Sequence, residues 1–515
     1  MHSRSNWSLL CLAPLLAIWL TPVAAWVAPT LNQRQQQLLH DRLYQTNLRG
    51  PRWTGNDNQN TLTDLVARSM RIAGLDVEFL NYTVHKWDAR WWSLSLNLKN
   101  GTSLGLPTTG YWPWSGDSGL EGRTAPLIDA GTYALDATMT GSDNSTLDFT
   151  GLPETGGIVF FDNPSPTRNY LLPGYKLLGT SRDIPADDIP ELGNLSNPHW
   201  QSAKTLNFTT LRTMGVEAVI ASWVNTSDEN GANQFLPNDG APGDGNLYDV
   251  PAVYVGNSTG ETIRELIKEG LVDNATVVLD APSIEATTST VHGHLTGTSG
   301  TNDSIIIYTH SDGPSIIEEN GPILLLAMAE VFAQHRPTIS IDFVITTGHM
   351  SGHHLNESAW MDERPEIMAN AKAAIVCEHF GALEWKDDFS TGSPVYKPTG
   401  DLEPMWTMAN GSSGSLLHEL YIESFSGTED KLRMALLAPQ VVNGKSSMWY
   451  GAGGSSVLGA SSIPTIGIIP QPDYLWAALV DGGWSKLDIP TAVEQINVIL
   501  RLVTKLDEAY ANGQL

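Results

Sequence analysis

Short apolar runs alternate with helical patterns throughout residues 286–515, and this alternation limits the possible folds more than any other feature. Four runs have the length and composition of buried strands: 304–309, 339–346, 373–378 and 463–469. Two segments have helical apolar spacing: 321–334 and 492–511. Because strands that alternate with helices usually pair in parallel under a helical cover, the sequence predicts an α/β fold. We expect a mostly parallel mixed sheet sandwiched by helices.

The first 25 residues have the composition of a secretion signal. Arg4 precedes an apolar run at 9–20, and small residues lead to an expected cleavage site after Ala25. The run is shorter than the ~20 residues that cross a bilayer, and no stop-transfer pattern follows it. We therefore expect a secreted, extracellular protein with no membrane attachment after signal cleavage.

Acceptor triplets for N-linked glycans agree with export. Asn-x-Ser/Thr occurs after the signal at eleven positions: Asn81, Asn100, Asn144, Asn194, Asn207, Asn225, Asn257, Asn274, Asn302, Asn356 and Asn410. Single triplets arise by chance, but this number behind a signal indicates a glycoprotein. After cleavage Cys377 is the remaining cysteine, so no internal disulfide is expected.

The formal net charge of −27 bears on the possible partners. Nucleic-acid binding requires a basic face, so this balance argues against a nucleic-acid partner. The charge says nothing about the fold, but it suits a soluble chain.

The region before residue 286 divides into two parts. Residues 26–115 have a helix, helix, strand, strand pattern and are predicted to belong with residues 286–515 in one domain. Residues 116–285 contain short strands and polar loops, and 250–256 reads Val-Pro-Ala-Val-Tyr-Val-Gly before a helical segment. This order resembles the protease-associated domain, a small β-rich module inserted in exopeptidases.

Histidines and carboxylates follow three of the predicted strands. In chain order they are His310, Asp312, Glu318 and Glu319 after the first, His349 after the second, and Glu378 and His379 after the third. Ligand sites in such sheets lie at the carboxyl ends of the strands, so these side chains should converge. Imidazole and carboxylate bind zinc and similar ions, and the pattern therefore predicts a divalent-metal site. Solvated loop residues are the alternative.

These residues resemble the motifs of the zinc aminopeptidase family, which includes bacterial leucyl aminopeptidases, glutamate carboxypeptidase and glutaminyl cyclase. Members carry His-x-Asp after a strand, Asp-Asn-x-Ser-Gly opening a helix, a Gly-Glu-Glu-x-Gly turn, a later strand-end Asp and a late His. The resemblance implies that His310 is the first ligand and that Asp312 orients the site. It places Glu319 at the bridging Asp and Glu378 at the later Asp. Glu318 is the fallback if the alignment shifts by one residue, and His379 is a further candidate for metal or substrate contact.

The metal ligands of the family pattern that are missing here all belong to one of its two metals, and the general-base glutamate is also replaced. His349 and Met350 stand where the turn has its two glutamates, and residues 473–488 contain no histidine. The three ligands of the first metal have matching residues here in His310, Glu319 and Glu378. The second metal lacks both of the ligands that it does not share with the first. We therefore expect one ion, zinc or another divalent metal, with an open position for water or substrate. His349 is the candidate base, since imidazole titrates near pH ~6.5; a polar filler of the vacated position is the alternative.

The sequence thus predicts a secreted metal-dependent hydrolase that resembles zinc aminopeptidases and acts on a small peptide or an N-acyl or amide substrate. Two alternatives stay open. One is an inactive pseudo-peptidase that binds peptide or glycan. The other is acyl transfer or cyclisation of the glutaminyl cyclase kind.

Overall fold

The computed structural model describes residues 28–133, 146–164, 168–169, 175–181, 194–195, 206–232, 247–351, 355–410, 415–428, 430–439, 441–442, 445–446, 461–470, 474 and 481–515. The expected secretion signal and the triplet at Asn144 lie outside these residues. Within the described ranges, no helix is long and apolar enough to cross a membrane.

The described residues form ten α-helices. They are α1 (Gln33–Asn47), α2 (Asp57–Ala73), α3 (Phe208–Thr213), α4 (Asp228–Ala232), α5 (Asn257–Lys268), α6 (Gly321–Gln334), α7 (Ala359–Glu363), α8 (Pro365–Asn370), α9 (Leu416–Phe425) and α10 (Ile489–Ala511), with a 3-10 segment at Asp481–Lys486. The side chain of Asp488 caps α10 by accepting from the Thr491 amide, and Pro490 occupies its first turn.

The described strands are β1 (Asp76–Trp87), β2 (Trp91–Leu98), β3 (Ser103–Leu106), β4 (Gly110–Tyr111), β5 (Gly119–Ala125), β6 (Leu127–Thr132), β7 (Gly157–Pro164), β8 (Arg168–Asn169), β9 (Tyr175–Thr180), β10 (Asn194–Leu195), β11 (Val216–Val224), β12 (Ala252–Val255), β13 (Val272–Asp280), β14 (Ser283–Leu295), β15 (Ser304–His310), β16 (Ser340–Thr346), β17 (Ala371–Cys377), β18 (Leu383–Asp388), β19 (Val395–Leu402), β20 (Met405–Ala409), β21 (Met434–Pro439), β22 (Val441–Val442), β23 (Lys445–Ser446) and β24 (Thr465–Pro470).

The largest sheet has nine strands in the order β1-β14-β16-β15-β17-β24-β20-β21-β9. Its centre, β16-β15-β17-β24, is parallel, and antiparallel pairs flank this centre on both sides. The predicted α/β fold with a mixed sheet between helices is therefore confirmed. Because β16, β15 and β17 run in the same direction, the loops that follow them meet at one edge of the sheet.

Both faces of this sheet are covered. One core contains Ile305 and Ile307 of β15 and packs against α1, α2, α6, α9 and α10. The other contains Ile306 and Tyr308 of the same strand and packs against α7 and α8. The side chains of β15 alternate between two buried faces, which explains why its sequence is apolar without a polar alternation.

Two smaller sheets, of five and four strands, lie between β1 and β14 in the chain, as does the two-stranded pair β10-β8. One has the order β4-β12-β11-β7-β6 and the other β3-β2-β13-β5. A shared core, with Leu96 from the second sheet and Phe160 and Ile220 from the first, packs them together. The sequence predicts that residues 26–115 belong with the large domain. Strand pairing instead places β2, β3 and β4, which lie within this range, in the two smaller sheets.

The smaller sheets are attached to the large domain by a partly buried polar contact. The carboxylate of Asp387 in β18 accepts from Thr226 Oγ1 at 2.7 Å, from the Ser227 amide at 3.2 Å and from Asn230 Nδ2 at 2.9 Å. Three donors on one carboxylate fix the segment between β11 and α4 against the β18–β19 hairpin.

The start of α6 packs directly on the end of β15. A Cβ atom on Gly321 would lie 1.8 Å from Thr309 Oγ1, so only glycine fits at this position. The close approach holds the preceding loop, residues 311–320, over the carboxyl end of the sheet. This loop carries the two glutamates singled out in the sequence.

Candidate metal centre

Five side chains from three loops meet at the carboxyl end of the parallel strands. They form what is called here the central cluster: His310, Glu318, His349, Glu378 and His379. Four of these side chains are at most 1% exposed, while His349 is 20% exposed. The cluster is therefore buried except at His349.

The two buried histidines have the same orientation. His310 Nδ1 lies 2.9 Å from the Asp312 carbonyl oxygen, and His379 Nδ1 lies 2.8 Å from the Pro470 carbonyl oxygen. Since a carbonyl can only accept, each Nδ1 carries a proton and donates it, so the lone pair of the neutral imidazole is on Nε2. Both Nε2 atoms point into the cluster, where neither has a hydrogen-bond partner among the described residues.

The backbone at His379 brings two neighbouring residues to the same side. His379 has φ +58°, a left-handed conformation that residues other than glycine adopt rarely. In an extended strand Glu378 and His379 would point to opposite faces. Instead Glu378 Oε2 lies 3.5 Å from both His379 Nε2 and His310 Nε2. Uncommon backbone of this kind is frequent at functional sites.

Glu318 is the glutamate of the 311–320 loop that enters the cluster. Its Oε2 lies 3.0 Å from His379 Nε2, and its Oε1 lies 3.5 Å from His349 Nε2. Burial by itself would raise the pKa of Glu318, but His379 and His349 outweigh burial and lower it well below the ordinary value. The carboxylate form, which binds metals, is therefore favoured.

Glu319, the ligand expected from the sequence, points elsewhere. It forms an ion pair with Arg52, and both side chains are at most 1% exposed. Arg52 is fixed against the same loop, because its backbone and that of Gly313 exchange two hydrogen bonds of 2.9 and 3.0 Å. The structure thus places Glu318, the fallback, beside the two histidines.

His349 packs against His310 and faces a carboxylate that the sequence analysis missed. The two rings stack with centroids 4.1 Å apart. His349 Nδ1 lies 3.2 Å from Glu357 Oε2, while Glu357 Oε1 accepts from Tyr308 at 2.6 Å and from Thr346 at 3.1 Å. Burial would raise the pKa of Glu357, but His349 outweighs it and lowers the pKa to about 2.

The pKa values of the two stacked histidines are raised. Burial lowers the pKa of His349, yet Glu318 and Glu357 outweigh burial and raise it well above the ordinary value. Burial and His349 likewise lower the pKa of His310, and Glu378 and Glu318 raise it overall. The carboxylates therefore control the charge of this group.

Asp312 supports the site without entering the cluster. Its Oδ2 accepts from Thr54 Oγ1 at 2.5 Å and from the amides of Met350 at 2.9 Å and Gly348 at 3.2 Å. These bonds hold the turn that carries His349, and Gly348 has φ +102° there. Burial raises the pKa of Asp312. The orienting role expected for this residue corresponds to holding this turn.

Sequence reasoning missed Arg52, Thr54 and Glu357. Arg52 and Thr54 lie far from the motifs in the chain, and no local pattern marks them. A signal did exist for Glu357, because Tyr308 and Thr346 are polar residues near the ends of buried strands and need hydrogen-bond partners there.

The donor set fits a divalent metal ion. His310, Glu318 and His379 each offer one ligand atom, and these atoms lie within 4.8 Å of one another. Metal-binding histidines commonly donate their second N–H to a carbonyl or carboxylate, as both of these do. Glu318 Oε2 and Glu378 Oε1 also have no hydrogen-bond partner within the described ranges. Buried polar atoms without partners are costly unless another ligand satisfies them.

Comparison with solved structures gives similar folds at low sequence identity. The zinc aminopeptidase of Bacillus subtilis is 14% identical with a TM-score of 0.58, over 93% of this chain and 96% of that chain. The peptidase M28 precursor from Shewanella amazonensis SB2B is 14% identical with a TM-score of 0.58, over 92% and 97%. An aminopeptidase from Aneurinibacillus sp. strain AM-1 is 15% identical with a TM-score of 0.51, over 92% and 95%.

No family model and no curated protein matches the sequence. The structural likeness extends over nearly all of both chains, and it identifies the fold as zinc exopeptidase-like. Since one fold can carry several activities, the function must be argued from the residues of the site.

Proposed function

We propose that this protein is a metal-dependent hydrolase that cleaves a peptide or amide bond with a single divalent ion, zinc or a similar metal. The observation that carries the proposal is the pair of buried Nε2 atoms of His310 and His379. Each is fixed by an Nδ1–H bond to a backbone carbonyl and directed at buried carboxylates. Such an arrangement is costly as an empty polar pocket and favourable as a metal site.

We assign His310, Glu318 and His379 as the protein ligands. Glu378 lies within 3.5 Å of both histidines and is a fourth donor or the partner of a bound substrate group. Three or four nitrogen and oxygen donors of this kind are the usual coordination of zinc. When bound, the ion would supply Lewis acidity that polarises the carbonyl group of an amide substrate.

The ion pair of Glu319 with Arg52 supports a single ion. In the two-metal arrangement implied by the resemblance, a bridging carboxylate lies between two cations. Here the guanidinium of Arg52 already compensates the charge of Glu319. A second cation beside Glu319 would meet an arginine, and like charges at this distance repel strongly in a buried site.

His349 and Glu357 are proposed to move the proton. His349 has the most solvent access in the cluster, so it can meet an incoming water molecule or the substrate amine. In its neutral form, which a cation bound by Glu318 would favour, it accepts a proton from the attacking water and later donates it to the leaving nitrogen. Glu357 faces the other ring nitrogen at 3.2 Å, where it orients the ring and stabilises the imidazolium.

The proposal is tested by metal analysis of the purified protein together with a panel of aminoacyl and N-acyl amide substrates. We expect about one ion per chain and hydrolysis that a chelator abolishes and added zinc restores. Glu378→Ala should reduce the activity, and the exposed Glu366→Gln should leave it unchanged. Protein that carries no metal after zinc loading, with wild type and variant equally inactive, would refute the proposal.

Two other results would point to the alternatives. Bound metal without turnover on any substrate, but with binding of peptide or glycan, would indicate a pseudo-peptidase. Release of an amine without uptake of water, with a cyclised product, would indicate acyl transfer of the glutaminyl cyclase kind.

We also propose that the chain is secreted as an N-glycosylated protein and that the two smaller sheets form a protease-associated module. The run at 9–20 and the acceptor triplets support export, and the segment at 250–256 supports the module. Expression in eukaryotic cells should yield protein in the medium whose mass falls on enzymatic deglycosylation. Retention in the cell at the mass of the bare chain would contradict this.

A further inference from the structure

A second group of histidine and carboxylate side chains lies on the large sheet, away from the central cluster. His292 and His294 project from the same face of β14, and Asp342 projects beside them from β16. Asp342 is level with Ile306 in β15, four residues before His310. At ~3.3 Å per residue, this places the group about 13 Å from the central cluster. His292, His294 and Asp342 are called here the strand cluster.

The three side chains are close enough to share one ion. Asp342 Oδ1 lies 2.8 Å from His292 Nε2 and 2.7 Å from His294 Nδ1, and the three ligand atoms lie within 4.8 Å of one another. Asp342 is 6% exposed, His292 12% and His294 33%. The group is thus rigidly placed on two paired strands and open to solvent on the side of His294.

The orientation of His292 is fixed from behind. Its Nδ1 lies 3.1 Å from Glu78 Oε1, and Glu78 is held by Arg364 through two bonds of 2.8 and 2.6 Å. A carboxylate on the far nitrogen of a histidine is the usual outer-shell partner of a metal ligand, where it orients the ring and raises its basicity. Glu78 is neutralised by Arg364, whereas Asp342 forms its ion pairs with the two histidines.

We propose that His292, His294 and Asp342 bind a second divalent transition-metal ion, zinc or copper(II). Two imidazoles and one carboxylate suit these ions better than magnesium or calcium, which prefer all-oxygen sites. Three ligands leave positions open to water on the exposed side. The ion joins β14 to β16, and through Glu78 and Arg364 it also ties the edge strand β1 to the start of α8. Its role is to stabilise the sheet edge, independently of the proposed hydrolase activity.

The test is zinc titration of chelator-stripped, full-length protein by calorimetry, comparing wild type with His294→Asn. The expected result is that the variant binds one ion fewer than wild type, and that zinc raises the Tm of wild type more than that of the variant. His335→Asn, which changes an exposed histidine at the end of α6, should match wild type. Equal stoichiometry in wild type and His294→Asn would overturn the proposal.

Two features keep the outcome interpretable. First, the expected difference of one bound zinc per chain between wild type and His294→Asn does not depend on the central cluster. If that cluster bound no metal, wild type would bind one zinc and the variant none. If His294→Asn does not fold, electron paramagnetic resonance of wild type with copper(II) decides instead. Nitrogen couplings from a second, added copper(II) equivalent are expected, and their absence would overturn the proposal.

Discussion

The two groups of histidine and carboxylate on the large sheet differ in how their polar atoms are satisfied. In the central cluster, His310 Nε2 lies 3.5 Å from Glu378 Oε2 and His379 Nε2 lies 3.0 Å from Glu318 Oε2, but within the described ranges neither nitrogen makes a contact with hydrogen-bond geometry, and both rings are buried. In the strand cluster, Asp342 lies within hydrogen-bonding distance of both rings, and His294 is one-third exposed.

This difference predicts how the groups behave without metal. A buried polar atom left without a partner costs about 1–3 kcal/mol, so the central cluster is unstable when empty. The strand cluster closes on itself, and an ion must displace two existing contacts to enter it. We therefore expect the first ion to survive dialysis and the second to exchange readily.

The largest effect is expected from replacing Glu318. Glu318→Gln removes a charged ligand from the central cluster and should reduce metal affinity by more than the about 100-fold that changes in outer-shell partners cause. Glu319→Gln is the matched control, because the neighbouring side chain faces Arg52. Metal content per folded chain is the measurement. Loss of metal in the second variant but not the first would restore Glu319 as the ligand.

The next effect concerns stability and tests the role of Arg52. Arg52→Met leaves Glu319 buried without a counter-charge and should lower the free energy of unfolding by about 3–5 kcal/mol. Arg42→Met breaks the partly exposed pair with Glu330 and should cost about 1 kcal/mol or less. Urea unfolding monitored by circular dichroism provides both numbers. A similar loss of unfolding free energy in the two variants would show that the buried Arg52–Glu319 pair contributes no more to stability than the partly exposed Arg42–Glu330 pair.

A smaller effect should separate proton transfer from metal binding. Glu357→Gln keeps the hydrogen-bonding shape beside His349 but removes the charge that supports its imidazolium form. We expect kcat to fall by about 10–100-fold while metal content stays at the wild-type level. Parallel loss of metal and activity would instead make Glu357 a structural support of the metal site.

The strand cluster offers a still smaller effect. Glu78→Gln should weaken zinc binding there by about 10-fold, because the outer-shell carboxylate behind His292 is lost. Glu285→Gln, on an exposed part of β14, is the control. Zinc titration measures both. An unchanged affinity in Glu78→Gln would mean that Arg364 and the sheet alone orient the ring.

Much of the large domain was predictable because its signals are local. The run at 321–334 coincides with α6, and α10 begins at Ile489, a few residues earlier than predicted, because Asp488 and Pro490 define its start. These patterns depend on periodicity and capping, which the sequence carries directly.

The detailed geometry of the site was less predictable because it depends on single backbone choices and distant contacts. Whether Glu318 or Glu319 faces the histidines is decided by one residue of loop register and by Arg52, which lies over 200 residues away. Likewise, the place of His379 depends on a left-handed backbone conformation that no periodicity encodes.

A histidine outside both clusters tests how burial affects an imidazole that forms no ion pair with a carboxylate in the described structure. His418 in α9 is 2% exposed. Burial lowers its pKa, and the Asn410 backbone and Glu419 offset only part of this. A lowered folded pKa means that His418 contributes stability above its unfolded pKa of about 6.5, and that this contribution is lost as the pH falls toward the folded value. The free energy of unfolding of wild type should therefore decrease between about pH 7 and pH 5 slightly more than that of His418→Gln. Parallel curves for the two proteins would show that burial does not disfavour the charged form of His418.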